Sequence, residues 1–408
     1  MNVLHINQSD LYGGAAIAGY RLHQGLLAQG IDSYLLVGKA LTSSQRVATV
    51  RRWMRIETQL FRIGWLLGLN YLNHISTFAI PKHPFFKKAD ILHLHNLHTS
   101  YFNYLAIASL TKLKPAVFTL RDMWSFTGHC SYSYDCDRWK IGCGKCPYLN
   151  TYPEVRIDNT RLEWKLKNWV YSRSKLAIVT LSRWLAEQAK ESMLGRFPIY
   201  HIANGIDTDS YQPLDREKCR SLLNVPPGKK VVMYGAFKQN SARKGGDLLL
   251  KALQNLPHSL RKETFLLTMG EAGENITEVA GMPTLNLGFI GSDRLKSIAY
   301  SAADLFLFPT RAEAFGQVAQ EALTCGTPVV SFNVGGVPDL VRPGVTGYLA
   351  RPEDHKDFSR GVLELLEDEA LRLEMSRKCR EIALREYELK QQTKRYIELY
   401  EGILREDG

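Results

Sequence analysis

"DLFLFPTRAEAFGQVAQEALTCGTPVVSFN", residues 304–333, reads in order as an apolar strand, a loop, a helix and a second apolar strand. Val318, Ala319, Ala322 and Leu323 give the helix its apolar face, Gly326 stops it and Pro328 precedes the next strand. Strands apolar along their whole length and separated by a helix belong to a parallel sheet covered on both faces.

The same rhythm runs through the chain. NVLHIN, DSYLLVG, DILHLH, AVFTL, LAIVTLS and PIYHIAN supply strands to the first half, and KVVMYGAF, TFLLTMG, LNLGFIG, DLFLFPT and PVVSFN to the second. Helix-length segments lie between them, so the expected class is α/β, with two doubly wound, Rossmann-like parallel-sheet domains. A length of 408 residues with 45% hydrophobic content agrees, since a single core stops growing well short of that size. Turn formers gather in HIANGIDTDSYQPLD and NVPPGKK, which places a boundary near 205–228 and gives domains 1–205 and 206–385. A long charged helix is expected over roughly 368–406.

Charge divides unevenly. Residues 1–200 hold 25 Lys+Arg against 12 Asp+Glu, leaving 27 against 29 for the rest. No basic helix with interleaved aromatics and no nucleic-acid module is present, so an anionic membrane surface is the better partner and nucleic acid is not expected. The start, MNVLHINQSD, reads as a strand and turn and not as a signal peptide, which predicts a cytoplasmic chain. Residues 59–80 form the most apolar stretch, but Arg62, Asn70, Asn73 and His74 interrupt it and argue against a transmembrane span. With Arg51, Arg52 and Arg55 upstream it is either an interfacial helix on anionic lipid or a core-packed helix pair.

Ligands of doubly wound sheets bind beyond the carboxyl ends of the strands. The opening stretch places Glu313 in such a loop and Glu321 on the following helix, with Gly316 allowing a ligand close to the amides of the helix N-terminus. Eight helical residues advance by about 80°, so the two acids are either solvated on one helix face or turned to one cleft, one toward a sugar and one toward a ribose. The strand-loop-helix context favours the cleft. "GAFKQNSARKGGDLLLKAL", residues 235–253, brings Lys238, Arg243 and Lys244 after another strand. They are either anchors for a diphosphate or a solvated turn. "DLYGGAAIAGYRL", residues 10–22, offers Gly13 and Gly14 for close approach but has no GxGxxG.

Together "EAFGQVAQE", "NGID", "KGGDLLLKAL" and "GGVPDLV" resemble, in order and spacing, the family 4 retaining glycosyltransferases of the GT-B fold. The resemblance implies two Rossmann-like domains facing a central cleft. It also implies a nucleotide-sugar donor held by the C-terminal domain, an acceptor held by the N-terminal one, and a last helix, 386–408, crossing back to the first domain. By position, Glu313 corresponds to the acid beside the donor sugar, Phe315 and Gly316 to backbone contacts, Glu321 to the ribose ligand and Lys244 to the phosphate lysine. Gly13 and Gly14 are candidate donor contacts. The family's arginine after the preceding glycine is replaced by Ala236, leaving Arg243 or Lys238 to stand in. Where the family often has an acceptor-side histidine this chain reads Arg121, followed by Asp122, which gives Asp122 an acceptor-orienting role and Arg121 a charge-stabilising one. No metal is needed for such a transfer.

"CSYSYDCDRWKIGCGKC", residues 130–146, packs Cys130, Cys136, Cys143 and Cys146 into one loop. Structural zinc, two disulfides or free thiols are the alternatives, and a reducing setting favours zinc. The flanking "RDMWSFTGHC" is similar to an exopolysaccharide and colanic-acid-type subgroup, which implies a lipid-linked saccharide acceptor; a UDP- or GDP-sugar donor is expected, and the basic first half points to a peripheral position at the inner face of the membrane. His93, His95 and His98 alternate in "LHLHNLH", with His93 and His95 on one strand face; they are cleft-lining or packed residues or a metal site, and His129 either replaces one cysteine ligand or is plain polar loop. Two other readings use the same residues: a nucleotide-sugar epimerase, or an inactive recruitment protein of a polysaccharide-assembly complex.

Overall fold

The computed structural model describes residues 1–238, 241–271 and 281–407. The chain divides into two compact units, Met1–Gly205 with Leu389–Gly408, and Ile206–Glu388.

The first unit is built on β1 (Asn2–Ser9), β2 (Asp32–Lys39), β3 (Val47–Thr49), β4 (Ile91–Leu94), β5 (Ala116–Leu120), β6 (Ala177–Thr180) and β7 (Ile199–His201). They form a parallel sheet in the order β3-β2-β1-β4-β5-β6-β7. The second unit holds β8 (Lys230–Lys238), β9 (Thr264–Glu271), β10 (Thr284–Asn286), β11 (Leu305–Phe308), β12 (Val329–Phe332) and β13 (Gly347–Ala350), parallel in the order β10-β9-β8-β11-β12-β13. Every residue of β4, β5, β6, β11 and β12 is buried, which is why these strands read as unbroken apolar runs. Strand order reverses beside β1 in one sheet and beside β8 in the other, so each unit has one topological switch point, β1/β4 and β8/β11.

The expected helix over 368–406 is two helices, Glu369–Glu386 and Leu389–Asp407. Ile206 breaks it: its N–H donates to the Tyr387 carbonyl at 2.8 Å and it bridges to Glu388. The second unit therefore runs to Glu388 rather than 385. The last helix joins the first unit, with Tyr396 and Tyr400 fully buried among Val3, Leu22, Ile91 and Val117. Gly25 makes the approach possible, since a Cβ there would lie 2.4 Å from Thr393 Oγ1.

Residues 59–80 do not form a core-packed helix pair. A helix spans Met54–Leu66 and its only buried residue is an acid, Glu57. Glu57 accepts from Arg52 Nε at 2.5 Å and from the Ser76 N–H at 3.0 Å, while Ile56, Phe61, Ile63, Trp65 and Leu66 are exposed. The helix is held through Glu57 and leaves most of its apolar side chains, like its polar ones, exposed to solvent. No helix of the described residues is long and apolar enough to cross a membrane.

Candidate active site

In the second unit the charged residues gather at the switch point between β8 and β11. Gly245 turns the chain at φ +69°, and a Cβ there would sit 1.9 Å from the Pro309 carbonyl, so only glycine lets the loop after β8 touch the loop after β11. Arg311 then laces the two loops. Its N–H donates to the Arg243 carbonyl at 2.8 Å, and its guanidinium forks onto Asp247 at 2.8 and 2.7 Å and reaches Glu353 at 2.9 Å.

This frame sets Lys244 Nζ 2.8 Å and Arg243 Nη1 3.2 Å from the same Glu313 oxygen. Burial alone would raise the Glu313 carboxyl, but the Lys244 ammonium and then the Arg243 guanidinium outweigh it and hold it at about 2. Lys244 is pushed below the ordinary lysine value by burial and by Arg243, with Glu313 opposing. The backbone of Glu313 is held as well: its carbonyl accepts from the Gly336 N–H at 2.9 Å, and a Cβ on Gly335 would lie 2.1 Å from that oxygen. Glu313 is thus an ionised, acceptor-only group beside two cations at the carboxyl edge of the sheet.

Glu313 lies three residues before the N-cap, Gly316, of the helix Gln317–Thr324, so the helical rotation expected between it and Glu321 does not apply. Gly316 adopts φ +102°, Phe315 is buried against the Tyr387 ring, and Glu321, 5% exposed, accepts from the Tyr300 hydroxyl at 3.1 Å. The structure brings Glu313, Arg243 and Lys244 together; Glu321 sits one helix turn beyond them with its own partner. The side chain of Lys238, the other candidate phosphate group, lies outside the described residues.

In the first unit, Asp122 follows β5 and accepts from His98, which follows β4: Nε2 to Oδ2 is 2.9 Å, and His98 Nδ1 lies 3.2 Å from the Tyr152 hydroxyl. Asp122 Oδ1 also caps the Trp124 N–H at 2.9 Å. Arg121 donates to Asn204 at 2.6 Å and to His95 Nδ1 at 3.1 Å, and burial lowers it to about 10.

That last contact fixes a chain of tautomers. Arginine only donates, so His95 Nδ1 is a bare acceptor, its Nε2 carries the proton and faces His5 Nδ1 at 2.8 Å. His5 Nε2 then holds a proton with no partner in a fully buried site. His93 stacks on His95 at 4.0 Å and uses both nitrogens, on Tyr400 and Thr119. The ligand atoms of His5, His93 and His95 lie within 4.8 Å of one another, but their lone pairs are committed and a guanidinium ends the chain, so the packed role of His93 and His95 prevails over a metal pair.

Gly13, at φ +86°, starts the helix Gly14–Ala28 after β1. Cys130, Cys136, Cys143 and Cys146 are all unbridged in this structure. Sequence reasoning gave no role to Arg311, Asp247 or Gly335, although the KGGDLLLKAL and GGVPDLV motifs contained the last two, and it did not pair His98 with Asp122.

Comparisons with known proteins agree with this architecture. Residues 12–210 match the family described as Glycosyltransferase Family 4, and residues 215–383 match Glycosyl transferases group 1. The chain is 27% identical over 370 residues to the putative colanic acid biosynthesis glycosyl transferase WcaC of Escherichia coli K12, covering 84% of this chain and 85% of that protein. Among solved structures, sucrose-phosphate synthase from Thermosynechococcus elongatus superposes with a TM-score of 0.73 at 18% identity over 99% of both chains. Anabaena Alr3699/HepE in complex with UDP-glucose does so with 0.66 at 18% identity, over 98% of this chain and 100% of that one.

Proposed function

We propose that the chain, with its GT-B fold and its matches to a family 4 domain followed by a group 1 domain, is a glycosyltransferase that moves a hexose from a UDP- or GDP-sugar to a hydroxyl of a lipid-linked saccharide with retention of configuration. The observation that carries the reading is the Glu313–Lys244–Arg243 cluster at the β8/β11 switch point.

Lys244 has three ammonium donors and spends one on Glu313, leaving the others for diphosphate oxygens; Arg243 adds a planar fork. Glu313, ionised down to about pH 2, accepts hydrogen bonds from sugar hydroxyls and has no proton to give. Two cations on its carboxylate also make it a poor nucleophile. That favours a reaction without a side-chain nucleophile. The bond from the anomeric carbon to the diphosphate oxygen breaks, the acceptor oxygen bonds to that carbon on the same face, and the acceptor's proton passes to the leaving phosphate oxygen. Lys244, Arg243 and the Phe315–Gly316 backbone stabilise the departing charge. Glu321 is assigned the ribose hydroxyls, Gly13 and Gly14 a donor contact, and Asp122, held by His98, the orientation of the acceptor hydroxyl, with Arg121 as a fixed charge behind it.

A lipid-linked acceptor fits the first unit's surface, where Ile56, Phe61, Ile63, Trp65 and Leu66 are exposed in the same segment as Arg51, Arg55 and Arg62. The relative WcaC, described as a putative colanic acid biosynthesis glycosyl transferase, supports an exopolysaccharide-type glycan. Calorimetric titration with UDP, GDP and ADP and their hexose conjugates tests the donor, followed by NMR of the product's anomeric proton. One tight nucleotide and a product of unchanged configuration are expected. No binding by any of them removes the donor assignment, and an inverted product removes the mechanism.

A further inference from the structure

Cys130, Cys136, Cys143 and Cys146 line a single cavity of about 20 Å³ with His129 and Arg138. The C-x2-C half is a tight knuckle: Gly142, Cys143, Gly144 and Lys145 all take positive φ, two of them without being glycine, and the Gly128 N–H donates to Cys143 Sγ at 3.2 Å. Non-glycine residues are held in that region only where the surrounding structure demands it. Nothing in the transfer chemistry asks for it.

His129 is an independent sign. It is 1% exposed, and its Nδ1 lies 2.7 Å from the Pro153 carbonyl. A carbonyl only accepts, so Nδ1 carries the proton and Nε2 presents a bare lone pair 3.3 Å from Cys146 Sγ. An imidazole anchored through one N–H to a backbone carbonyl, with the other nitrogen turned to sulfur, is the arrangement found around bound metal ions. Positive charge stands nearby. Lys167, 1% exposed, donates to the Trp124 and Thr127 carbonyls of this loop at 2.6 and 3.0 Å, and Arg138 lines the cavity itself.

We propose that this cavity is a structural zinc site whose ligands are the thiolates of Cys130, Cys136, Cys143 and Cys146, with His129 beside Cys146 as the one nitrogen able to replace a sulfur. Each thiol releases its proton to solvent as its sulfur bonds the ion, without change of oxidation state, and four sulfurs fill the tetrahedron. The −2 charge of the ion and four thiolates is offset by Lys167 and Arg138. The ligand atoms are more widely spread than those of His5, His93 and His95, so the ion draws the loop inward. A closed site of this kind takes no part in transfer. It fixes the segment that follows Asp122, where the Met123 N–H donates to the Ser131 carbonyl at 2.9 Å.

Metal analysis of the full chain purified without chelator tests the site. About one zinc per chain is expected, lost in Cys143→Ser and Cys146→Ser and kept in His129→Ala. If a serine variant does not fold, the unaltered chain decides: a mercurial titration should release the zinc as four thiols react, and chelation should lower the melting temperature until zinc is restored. Two disulfides by mass in the fresh protein, or four freely alkylated thiols without metal, overturn the proposal. Zinc kept in Cys136→Ser but lost in His129→Ala overturns the tetrathiolate set in favour of three cysteines and a histidine.

Discussion

The two sheets reverse their strand order at equivalent places, yet what stands there differs in kind. At β8/β11 the groups are Arg243, Lys244 and Glu313, all charged, with side chains 26, 18 and 12% exposed. Along β1/β4 they are His5, His93 and His95, stacked, neutral and at most 1% exposed, sealed by Tyr396 and Tyr400 of the last helix. Topology decides where groups from distant stretches meet. Whether they meet as a ligand site or as a polar core depends on what else the chain brings to the same edge, here a returning helix on one sheet and not on the other.

Acid should separate the two regions most strongly. Burial lowers His5, His93 and His95 well below 6.5, and His23 and His74 to about 4. An unfolded chain takes these protons first, so the stability is fully present above about pH 6.5 and is lost as pH falls toward the folded values, by up to about 1.4 kcal/mol per histidine per pH unit. Glu163, raised to about 7 by burial against the pull of Lys167, gains stability in the same window and offsets about one histidine. In the second unit Glu313, lowered to about 2, holds its contribution until pH drops through 4.5. All seven tryptophans lie between residues 53 and 184, within the first unit, so their emission reports it alone. We expect the tryptophan transition to precede part of the far-UV circular dichroism change on acidification; coincident transitions below pH 4.5 would remove the contrast.

Next in size is Lys244→Ala, which strips a charge-stabilising contact from the second site without touching the first unit. Transfer should slow about 10²–10³-fold, equivalent to roughly 3–4 kcal/mol of barrier, with donor affinity reduced and the tryptophan melting curve unchanged. A rate within threefold of the parent would show that Lys244 serves only to neutralise Glu313.

Much of this contrast was legible in the sequence, and the part that was not has a common cause. β11 and β12 stand out because they are apolar on both faces, whereas β3 and β13 are three and four residues long and only part-buried, so they leave no pattern. LNLGFIG contributes only Leu285 and Asn286 to β10, Thr284–Asn286, and the Gly288 N–H just beyond turns onto Asn286 Oδ1. Lys244 and Glu313 could be matched one by one to motifs, but their contact, like that of Asp122 with His98 or Arg311 with Asp247, depends on which strands are neighbours. β4 pairs with β5 and β8 with β11, and strand order is not written in local periodicity. The apolar stretch after residue 53 likewise does not say that most of its apolar side chains stay exposed.

Tyr400→Phe probes the sealed side at a smaller scale. Its hydroxyl lies 2.6 Å from His93 Nδ1 in a site with no exposure, so the substitution leaves a buried ring nitrogen without a partner at a cost of about 1–3 kcal/mol. The tryptophan-monitored melting temperature should fall by a few degrees, while calorimetric donor affinity in the second unit stays as it was. A matching loss of donor affinity would mean that the two regions are coupled and not merely different.

The last contrast lies on the surface, where the excess of 25 cations over 12 acids in the first 200 residues has no counterpart in the rest. Arg52 is unsuited to the test because it is spent on Glu57 and on the Ser100 carbonyl, 2.6 Å away, and losing it would loosen the helix. Arg51, Arg55 and Arg62 are exposed, and each cation near an anionic bilayer contributes about 1 kcal/mol at low ionic strength. Replacing the three by glutamine should weaken binding to vesicles rich in phosphatidylserine by about two orders of magnitude and leave turnover of a water-soluble acceptor intact. Phe61→Ser with Trp65→Ser should weaken binding to neutral vesicles too, since those side chains act by burial rather than charge. If the arginine variant binds anionic vesicles as the parent does, the exposed face of Met54–Leu66 belongs to a partner other than lipid, and the charge asymmetry between the two halves has no part in where the chain resides.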